Sequence, residues 1–500
     1  MTTRPAANGL VPELQIAWRK LREWLPLPET PPPPRTRPAI ALEELEEPLR
    51  LSLERLLNPA QISWDADDRL QHTGGDNYPA YARRQQDLPP LAVIYPETEQ
   101  DIAGLMLWAS QRDLQLLPWG SGTYPFRTKS RPQAPYMTID LRRMNRILEI
   151  TPYKHRVRVQ SGLHWSALEA ALNEQGVTTG QYFFSPAITV GGSLASGSVS
   201  LKSLGYGTLQ ENVHAARAIT PAGPLQLTYP APGEPDMRGL MIGTQGRWGI
   251  LTEATLRITT LPAEQLRIFA SFVSPQQARE ALRLILRQDT RPSCARILST
   301  PEITLLSPPP QLAWLSMMRG MLSNPPPWTA HLEILLEGSK ESLSAQRQQI
   351  TPTLRDFDSE VEINLKNSAG NCTTWHPAQN NLSQLWERGI LIYPFIVAVP
   401  WATLEQFQPA WEEALQSVLQ ATGDAPGYTF SSLYATEDYV VMRTLLVGLQ
   451  AADPVAQLDA IHAVGEEMLA RHTEGSASGL LKQALYAAGQ LLDPEGVLVR

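Results

Sequence analysis

Seven glycines fall between Gly176 and Gly207, and no Asp or Glu occurs anywhere from Gln175 to Gln210. A window of that length would hold about two glycines at ordinary usage, so the enrichment answers a local demand. Lys202 is the only charge there. Glycine lets backbone approach a ligand closely and take positive φ. With no carboxylate nearby, backbone N–H groups face an anion unopposed. The heart of the window, SPAITVGGSLASGSVSLKSLGYGTLQEN (185–212), is rich in Ser and Thr hydroxyls. It also threads in Ile188, Val190, Leu194, Val199 and Leu204, apolar residues that a free linker lacks. The stretch reads as an ordered wall around a phosphate-bearing cofactor rather than as a solvated Gly/Ser loop.

Two further glycine segments flank it. PWGSGTY (118–124) lies in a region with no acidic residue from Leu114 to Ile139 but with Arg127, Lys129 and Arg131, which suits a pyrophosphate. IGTQGRWGILTEAT (242–255) is the third. None carries a standard nucleotide fingerprint. GSGTYP lacks the third glycine of G-x-G-x-x-G, and GSVSLKS (197–203) has Leu201 where a P-loop needs glycine. A Rossmann-type NAD site and a P-loop NTPase are therefore not supported.

The totals narrow the classes. A chain of 500 residues, 43% apolar and 18% charged, holds two or three domains with a large core. A net charge of −8 provides no basic excess for nucleic acid. Cys294 and Cys372 make neither a disulfide framework nor a structural zinc site; no metal is expected, and a reducing cytoplasm fits. No apolar run reaches the length of a membrane span. Arg4, Glu13, Arg19, Lys20 and Arg22 among the first residues argue against a signal peptide.

In chain order, residues 10–24 have the spacing of a short amphipathic helix, and PLPETPPPPRTRP (26–38) forces an extended, polyproline-like linker. Residues 40–57 read as helix and 61–88 as a polar loop crossing a surface. From Pro90 strands and helices mix: LAVIYP (91–96), LQLLPW (114–119), YMTIDL (136–141), RILEIT (146–151) and HRVRVQSG (155–162) as strands, with helices from Thr98 or Glu99 to Asp113 and from His164 to Gln175. Ala215–Thr220, Leu225–Thr228 and Gly249–Thr259 continue the strands. After Leu261, strand and helix units recur: helix Gln276–Arg287 with strand Ser293–Leu298, strand His331–Leu336 with helix Glu341–Phe357, and strand Phe395–Val399 with helix Leu404–Gln420. They predict an antiparallel sheet with helices on one face. Residues 455–490 read as helical.

The order of P-x-G-x-G-T, IDLRRMNRILEI, VRVQSG, T-V-G-G-x-x-A-S-G, Y-G and I-G-x-x-G-x-x-G-I-L-T-E-A-T resembles the flavin domain of the vanillyl-alcohol-oxidase/PCMH family, over roughly residues 88–262. Within that family, ADDRLQHTGGDNYPAYARRQQ (66–86), RPSCARIL (291–298), LEILLEGSKESL (332–343) and LDPEGVL (492–498) are similar to the alkyldihydroxyacetonephosphate-synthase group. The resemblance implies an α+β fold: a two-subdomain PCMH-type FAD-binding domain with an α/β cap of antiparallel sheet and helices. The expected division is an N-terminal helix and Pro-rich linker at 1–50, the FAD-binding domain at 51–262, a cap or substrate domain at 263–450, and a C-terminal helical segment at 451–500 that returns to the FAD domain.

By position, the resemblance implies that Pro118, Trp119, Gly120, Ser121, Gly122, Thr123 and Tyr124 wrap the FAD pyrophosphate. The stretches Phe183 to Thr189, with Pro186 and Thr189, and Ser196 to Val199, with Gly197 and Ser198, line the isoalloxazine and ribityl side, and Val190, Gly191 and Gly192 between them are cofactor-binding. Gly205, Tyr206, Gly207 and Glu211 continue that wall, and Gly249 and Ile250 belong to the segment closing over the adenine half, where Gln245 replaces a usual Glu. With no His-linked or Cys-linked flavin signature, the FAD is expected to be noncovalent.

The chain departs from the family where the chemistry sits. The family's Asp-Thr-x-Glu-Thr corresponds to Tyr393-Pro394-Phe395-Ile396-Val397, its Ser-His-x-Tyr to Ser431-Ser432-Leu433-Tyr434, and its His-His-His-Gly best matches His472-Thr473-Glu474-Gly475. Proton transfer needs a His, Tyr or carboxylate in reach, so Tyr434 and His472 stand as the catalytic candidates. The expectation is an FAD-dependent oxidoreductase acting on a small organic or lipid-like substrate through an altered site. The alternative is a non-catalytic flavin-binding or docking scaffold. Its implied partners are FAD and a small molecule; a homodimer is compatible with the sequence.

Overall fold

The computed structural model describes residues 47–73, 89–122, 135–183, 185, 187–232, 236–300, 303, 329–357, 359–367, 390–422, 428–449, 451, 454–473, 491–493 and 497–498. The helix and linker expected before residue 47 lie outside them.

The first layer is a four-stranded sheet built from β1 (Ile62–Ser63), β2 (Val93–Ile94), β3 (Gln115–Trp119) and β4 (Tyr136–Asp140) in the order β1-β2-β4-β3. β4 runs parallel to both β2 and β3. Parallel neighbours need a crossover, and α3 (Glu99–Ser110) supplies it between β2 and β3. Thr98 caps this helix in a reciprocal box with Asp101. Its buried residues Ile102, Leu105, Met106 and Ala109 fall on one stripe and pack with α1 (Glu47–Leu56) over Ile94, Leu116 and Ile139. Val497 and Leu498 join this core, with Leu498 bridged in parallel to Leu116.

The second layer is antiparallel, in the order β5-β6-β10-β8-β9 (Ile147–Thr151, Arg156–Gln160, Ile250–Arg257, Val213–Thr220, Gly223–Thr228). On β6 the exposed Arg156 and Arg158 alternate with buried Val157 and Val159, so one face is wet and one dry. The dry face packs α4 (Trp165–Asn173) and α5 (Val190–Ser196). The two layers are tied by a carboxylate. Glu99 accepts from Arg217 Nη2 at 2.6 Å and from Thr252 Oγ1 at 2.6 Å. A small ribbon, β7 (Val177–Thr178) with β11 (Thr259–Thr260), closes this region.

The third layer is a seven-stranded, wholly antiparallel sheet. Its order is β15-β12-β14-β13-β17-β18-β16. The strands are β12 (Glu264–Phe272), β13 (Cys294–Ser299), β14 (Ala330–Gly338), β15 (Glu360–Asn367), β16 (Ile390–Pro400), β17 (Tyr428–Ala435) and β18 (Tyr439–Leu449). One face carries Ile268, Phe272, Ile334, Leu433 and Met442 into a core shared with helices α8 (Pro275–Leu286), α9 (Lys340–Arg355), α10 (Leu404–Thr422) and α11 (Pro454–Thr473). Trp411 is fully buried there and donates from Nε1 to Thr444 Oγ1 at 2.9 Å.

The sequence predicts helices on one face of an antiparallel sheet, and that is the observed arrangement. Strands β12, β15, β17 and β18 were not anticipated: β12 and β15 mix charged with apolar residues, β17 is largely polar and aromatic, and β18 is a nearly continuous apolar run without clear alternation. The polar stretch 61–88 differs from its reading as a surface loop. It contains α2 (Ala66–Gln71), and Arg69 and His72 are buried beneath it. Their polarity is absorbed locally: Arg69 Nε donates to Pro90 O, and His72 Nε2 lies 2.9 Å from Asp140 Oδ2. Among the described residues no helix is long and apolar enough to cross a membrane.

Burial works against the Glu99 charge, but Arg217 and Thr252 outweigh it and hold the carboxyl below its ordinary value. A lowered acid stabilises the fold above its unfolded value and loses that contribution as pH falls through the folded one. Glu99→Gln is therefore expected to be less stable than the parent at neutral pH in urea unfolding. The gap should close as pH drops below about 4; a gap that persists unchanged in acid would overturn this assignment.

Candidate functional site

Thr189 caps α5, its Oγ1 accepting from Gly192 N at 3.1 Å. The same oxygen lies 2.7 Å from where a Cβ on Gly120 would stand and 2.8 Å from one on Gly192. The loop after β3 therefore meets the start of α5 backbone to backbone, which only glycine permits. Gly191 N donates to Ser161 O at 2.8 Å, and a Cβ there would strike the Ser161 side chain. At the other end of α5, Gly197 is left-handed at φ 64. There Gly243 N donates to Leu194 O at 2.9 Å and Gln245 N to Ala195 O at 2.6 Å. A Cβ on Gly246 would touch Pro118 at 3.0 Å. All three glycine segments thus converge on one seven-residue helix.

This cradle fits a phosphate-bearing cofactor. The described wall from residue 175 to 207 carries no carboxylate, and its one cation, Lys202, is engaged with Glu337 at 2.8 Å. Buried polar atoms point nowhere within the protein: Ser161 Oγ, Gln181 Oε1 and Ser203 Oγ make no hydrogen bond. Buried unsatisfied groups are costly, and a polar ligand with several acceptors and donors answers that cost.

The other expected residues take varied places. Thr123, Tyr124 and Pro186 lie outside the described residues. Trp119 packs beside Leu117 and Tyr136, with its ring 5.1 Å from that of His72, and Gly122 (φ 70) leaves room for that indole. Ser121 follows Gly120 in the same loop. The side chains of Val190 and Ile250 are buried in the apolar cores of the second and first layers. Ser196 and Ser198 pair their hydroxyls at 2.6 Å. Gly249 is wedged between Met241 and Thr220. Glu211 is occupied by a capping box with Thr208 at the start of α7 (Leu209–Asn212), and Gly207 (φ 79) turns directly above it.

Gly205 and Tyr206, on α6 (Ser203–Tyr206), sit at the seam with the third layer. Gly205 N donates to Ser293 O at 3.3 Å, and a Cβ there would lie 2.6 Å from Ser293 Cα. The Tyr206 ring covers Gly180.

Across that seam lies the inner face of the seven-stranded sheet. Tyr434 is buried there with Leu201, Cys294, Leu335 and Val441, flanked by Tyr182 and Val199 of the glycine stretch. This places one catalytic candidate against the cofactor wall. The other, His472, lies on α11, and its side chain is outside the described residues. Sequence reasoning missed the charges of this face. Glu333 receives both Arg267 and Arg296. Burial opposes its ionisation, but the two guanidiniums prevail and hold it below the ordinary carboxylate range. Burial likewise opposes the Arg296 charge, and Glu333 with Tyr434 outweighs it. Burial alone pushes His331 down to about 4. The available signal was the spacing by two of Cys294 and Arg296 in CARIL, and of His331 and Glu333 in HLEILLEG, which puts each pair on one face of its strand.

Residues 90–228 match the family described as FAD binding domain. Alkyldihydroxyacetonephosphate synthase of Trypanosoma brucei brucei is 27% identical over 277 residues, covering 52% of this chain and 44% of that protein. The matches thus span about half the length of the curated relatives or less. A solved alkyldihydroxyacetonephosphate synthase superposes with a TM-score of 0.75 at 19% identity, covering 96% of this chain and 91% of that one. Solved p-cresol methylhydroxylase gives 0.66 at 14% identity, over 91% and 97%. Other matched relatives are named as dehydrogenases and FAD-linked oxidoreductases. The fold is therefore that of the PCMH-type flavoproteins, and the matched FAD binding domain makes FAD the cofactor class.

Gly120→Val is expected to lower FAD occupancy at least about tenfold, a loss of about 1.4 kcal/mol or more in binding. The ratio of flavin to protein absorbance measures it, with the unfolding temperature as control. Full occupancy in a folded variant would remove this loop from the cofactor site.

Proposed function

We propose that this chain, which carries an FAD binding domain at residues 90–228 within a PCMH-type fold, is an enzyme that oxidises a small organic or lipid-like substrate held between the glycine wall and the inner face of the cap sheet. The observation that carries this reading is the convergence of the three glycine segments on α5, with Tyr434 of the cap sheet packed against Tyr182, Val199 and Leu201 of the same stretch. When bound, FAD supplies the redox step itself. The protein's share is to bind, orient and move a proton.

In this reading Gly120, Gly191, Gly192 and Gly197 let the glycine segments pack backbone to backbone, so that their N–H groups can face the cofactor, and Thr189 fixes the helix at their centre. Leu201, Val199 and Tyr182 exclude water from the seam. Tyr434, next to Arg296 across the β13–β17 pair, holds the proton at its phenol oxygen. That oxygen is the group of this seam placed to exchange a proton with the substrate. The division into an FAD-binding unit near 51–262 and a cap near 263–450 belongs to the same proposal. So does the return of the last residues, through Leu498, to the first sheet. The buried thiol of Cys294 fits a reducing compartment such as the cytoplasm.

One observation favours a second reading, a flavin-binding scaffold without turnover. Tyr393 and Phe395, in the segment matching the family's carboxylate motif, are packed with the helix-side core, and Ser432 stands where the family has His.

The visible spectrum of the purified protein, repeated after acid precipitation, tests the cofactor. Flavin bands moving to the supernatant are expected; a colourless protein that takes up no added FAD sinks the proposal. Anaerobic bleaching by a panel of hydroxy acids, phenols and phosphorylated ketones then separates enzyme from scaffold. For a substrate so found, Tyr434→Phe should slow flavin reduction at least about a hundredfold, the usual scale of lost proton transfer, with FAD content unchanged.

A further inference from the structure

The buried imidazole of His72 has no part in the glycine wall or in proton transfer. It is the C-cap residue of α2, in the polar stretch that precedes the matched FAD binding domain. The residue is 1% exposed, and its ring is held at both nitrogens. Nδ1 lies 2.7 Å from Asp68 O, a carbonyl that can only accept, so Nδ1 donates. Nε2 lies 2.9 Å from Asp140 Oδ2. A ring engaged at both ends is locked in orientation.

Its anchors are themselves fixed. Asp140 is fully buried and accepts from Arg142 N and Nε, both at 2.8 Å, and pairs with Arg142 Nη2 at 2.7 Å. The Tyr95 hydroxyl reaches both oxygens of the Asp68 carboxylate, at 2.9 and 2.8 Å. Arg69 of the same helix donates to Pro90 O at 2.6 Å. α2 is thereby fastened to the chain on either side of β2 and to the end of β4.

Trp119 stands beside this frame. It ends β3 and pairs in register with Asp140, which ends the parallel strand β4. Both residues thus lie at the carboxyl ends of parallel strands, the edge at which such sheets hold ligands. The His72 and Trp119 rings are 5.1 Å apart, inclined at 50°. The same indole lies against Gly122, where a Cβ would stand 2.7 Å from Trp119 Cζ2, and Gly120 in the same turn meets Thr189 at the head of α5. A continuous line of contact therefore runs from His72 through Trp119 to the glycine turn.

We propose that His72 is a positioning residue of the cofactor site: with Asp140 it fixes the Trp119 indole, and the indole fixes the turn Gly120–Gly122 that receives the diphosphate of FAD. The proposal rests on the reading of that turn as a cofactor loop. Glycine loses more freedom on ordering than any other residue, so a turn with two glycines binds well only when something outside it holds its shape. A turn already held lowers the ordering cost of binding. On this account residues 66–72, outside the matched domain, are a working part of the cofactor site.

The test uses the full chain with its flavin. FAD release on dilution is followed by the rise in flavin fluorescence for wild type, His72→Leu, His72→Gln, Trp119→Leu and the double variant His72→Leu/Trp119→Leu, beside the unfolding temperature of each flavin-free protein. His72→Leu, while still folded, should release FAD at least about tenfold faster than wild type, the scale of a lost ordering contact. His72→Gln, whose amide still bonds one of the two acceptors, should recover part of that loss. The double variant should release FAD no faster than Trp119→Leu alone, because the imidazole acts through the indole and the two effects are not additive. A folded His72→Leu protein that keeps the wild-type release rate, or two effects that simply multiply, overturns the proposal and makes His72 a purely structural residue. Full FAD occupancy in folded Gly120→Val fails the reading of the loop instead, and a wild-type chain without FAD fails the cofactor. Should His72→Leu not fold, His72→Gln decides, because release at the wild-type rate there removes the imidazole from the cofactor site.

Discussion

The Thr189 hydroxyl occupies the point on which the first two layers and the cofactor wall depend. It caps α5 through Gly192 and fills the space that side chains at Gly120 and Gly192 would need. Because those positions have no Cβ, the loop after β3 and the start of α5 share one contact surface, and the third segment closes on the far end through Gly197 and Gly243. The geometry is over-determined: His164 Nδ1 lies 2.7 Å from Ala187 O, and Val190 N donates to Leu163 O at 2.9 Å. A wall built this way needs little rearrangement to receive a ligand, which lowers the ordering cost of binding.

The wall was legible in the sequence because its signal is compositional. A glycine cluster without carboxylates has few uses, and a specific order of such clusters has fewer. The helices of the cap were legible from their apolar spacing, as at Leu404, Phe407, Trp411 and Leu415. The inner face was not. Arg296 and Glu333 lie 37 residues apart, and nothing local in either strand announces a partner. Single strands such as YVVMRTLLVGL (439–449) read as nearly continuous apolar runs, so Arg443 passes for an exposed charge until the register with Ser432 is known. The stretch 61–73 failed for the opposite reason. Its polarity signals solvent, yet Arg69 and His72 are buried, because Pro90 O, Asp68 O and Asp140 supply their acceptors. Polar sequence marks a surface only when no partner is waiting inside.

The two halves of the seam solve different electrostatic problems with the same economy. On the flavin side, the described stretch from 175 to 207 carries no carboxylate of its own, and its one lysine is paired with an acid from the cap. That ion pair is also a link between the layers, so the seam is held by a contact that removes a cation from the cofactor's surroundings. On the cap side, acids are few and each is shared. The result is a set of buried groups, Ser161 Oγ, Gln181 Oε1, Ser203 Oγ and Ser432 Oγ, whose hydrogen-bonding capacity is unspent. Filling those groups from within the chain would have been simple in sequence terms, since an apolar residue at each place removes the desolvation cost. Leaving them unspent makes the empty chain less stable than it could be. It also makes the fold more stable when the seam is filled, because whatever binds the native state alone stabilises it by mass action. Stability and occupancy are thereby coupled through the same buried atoms.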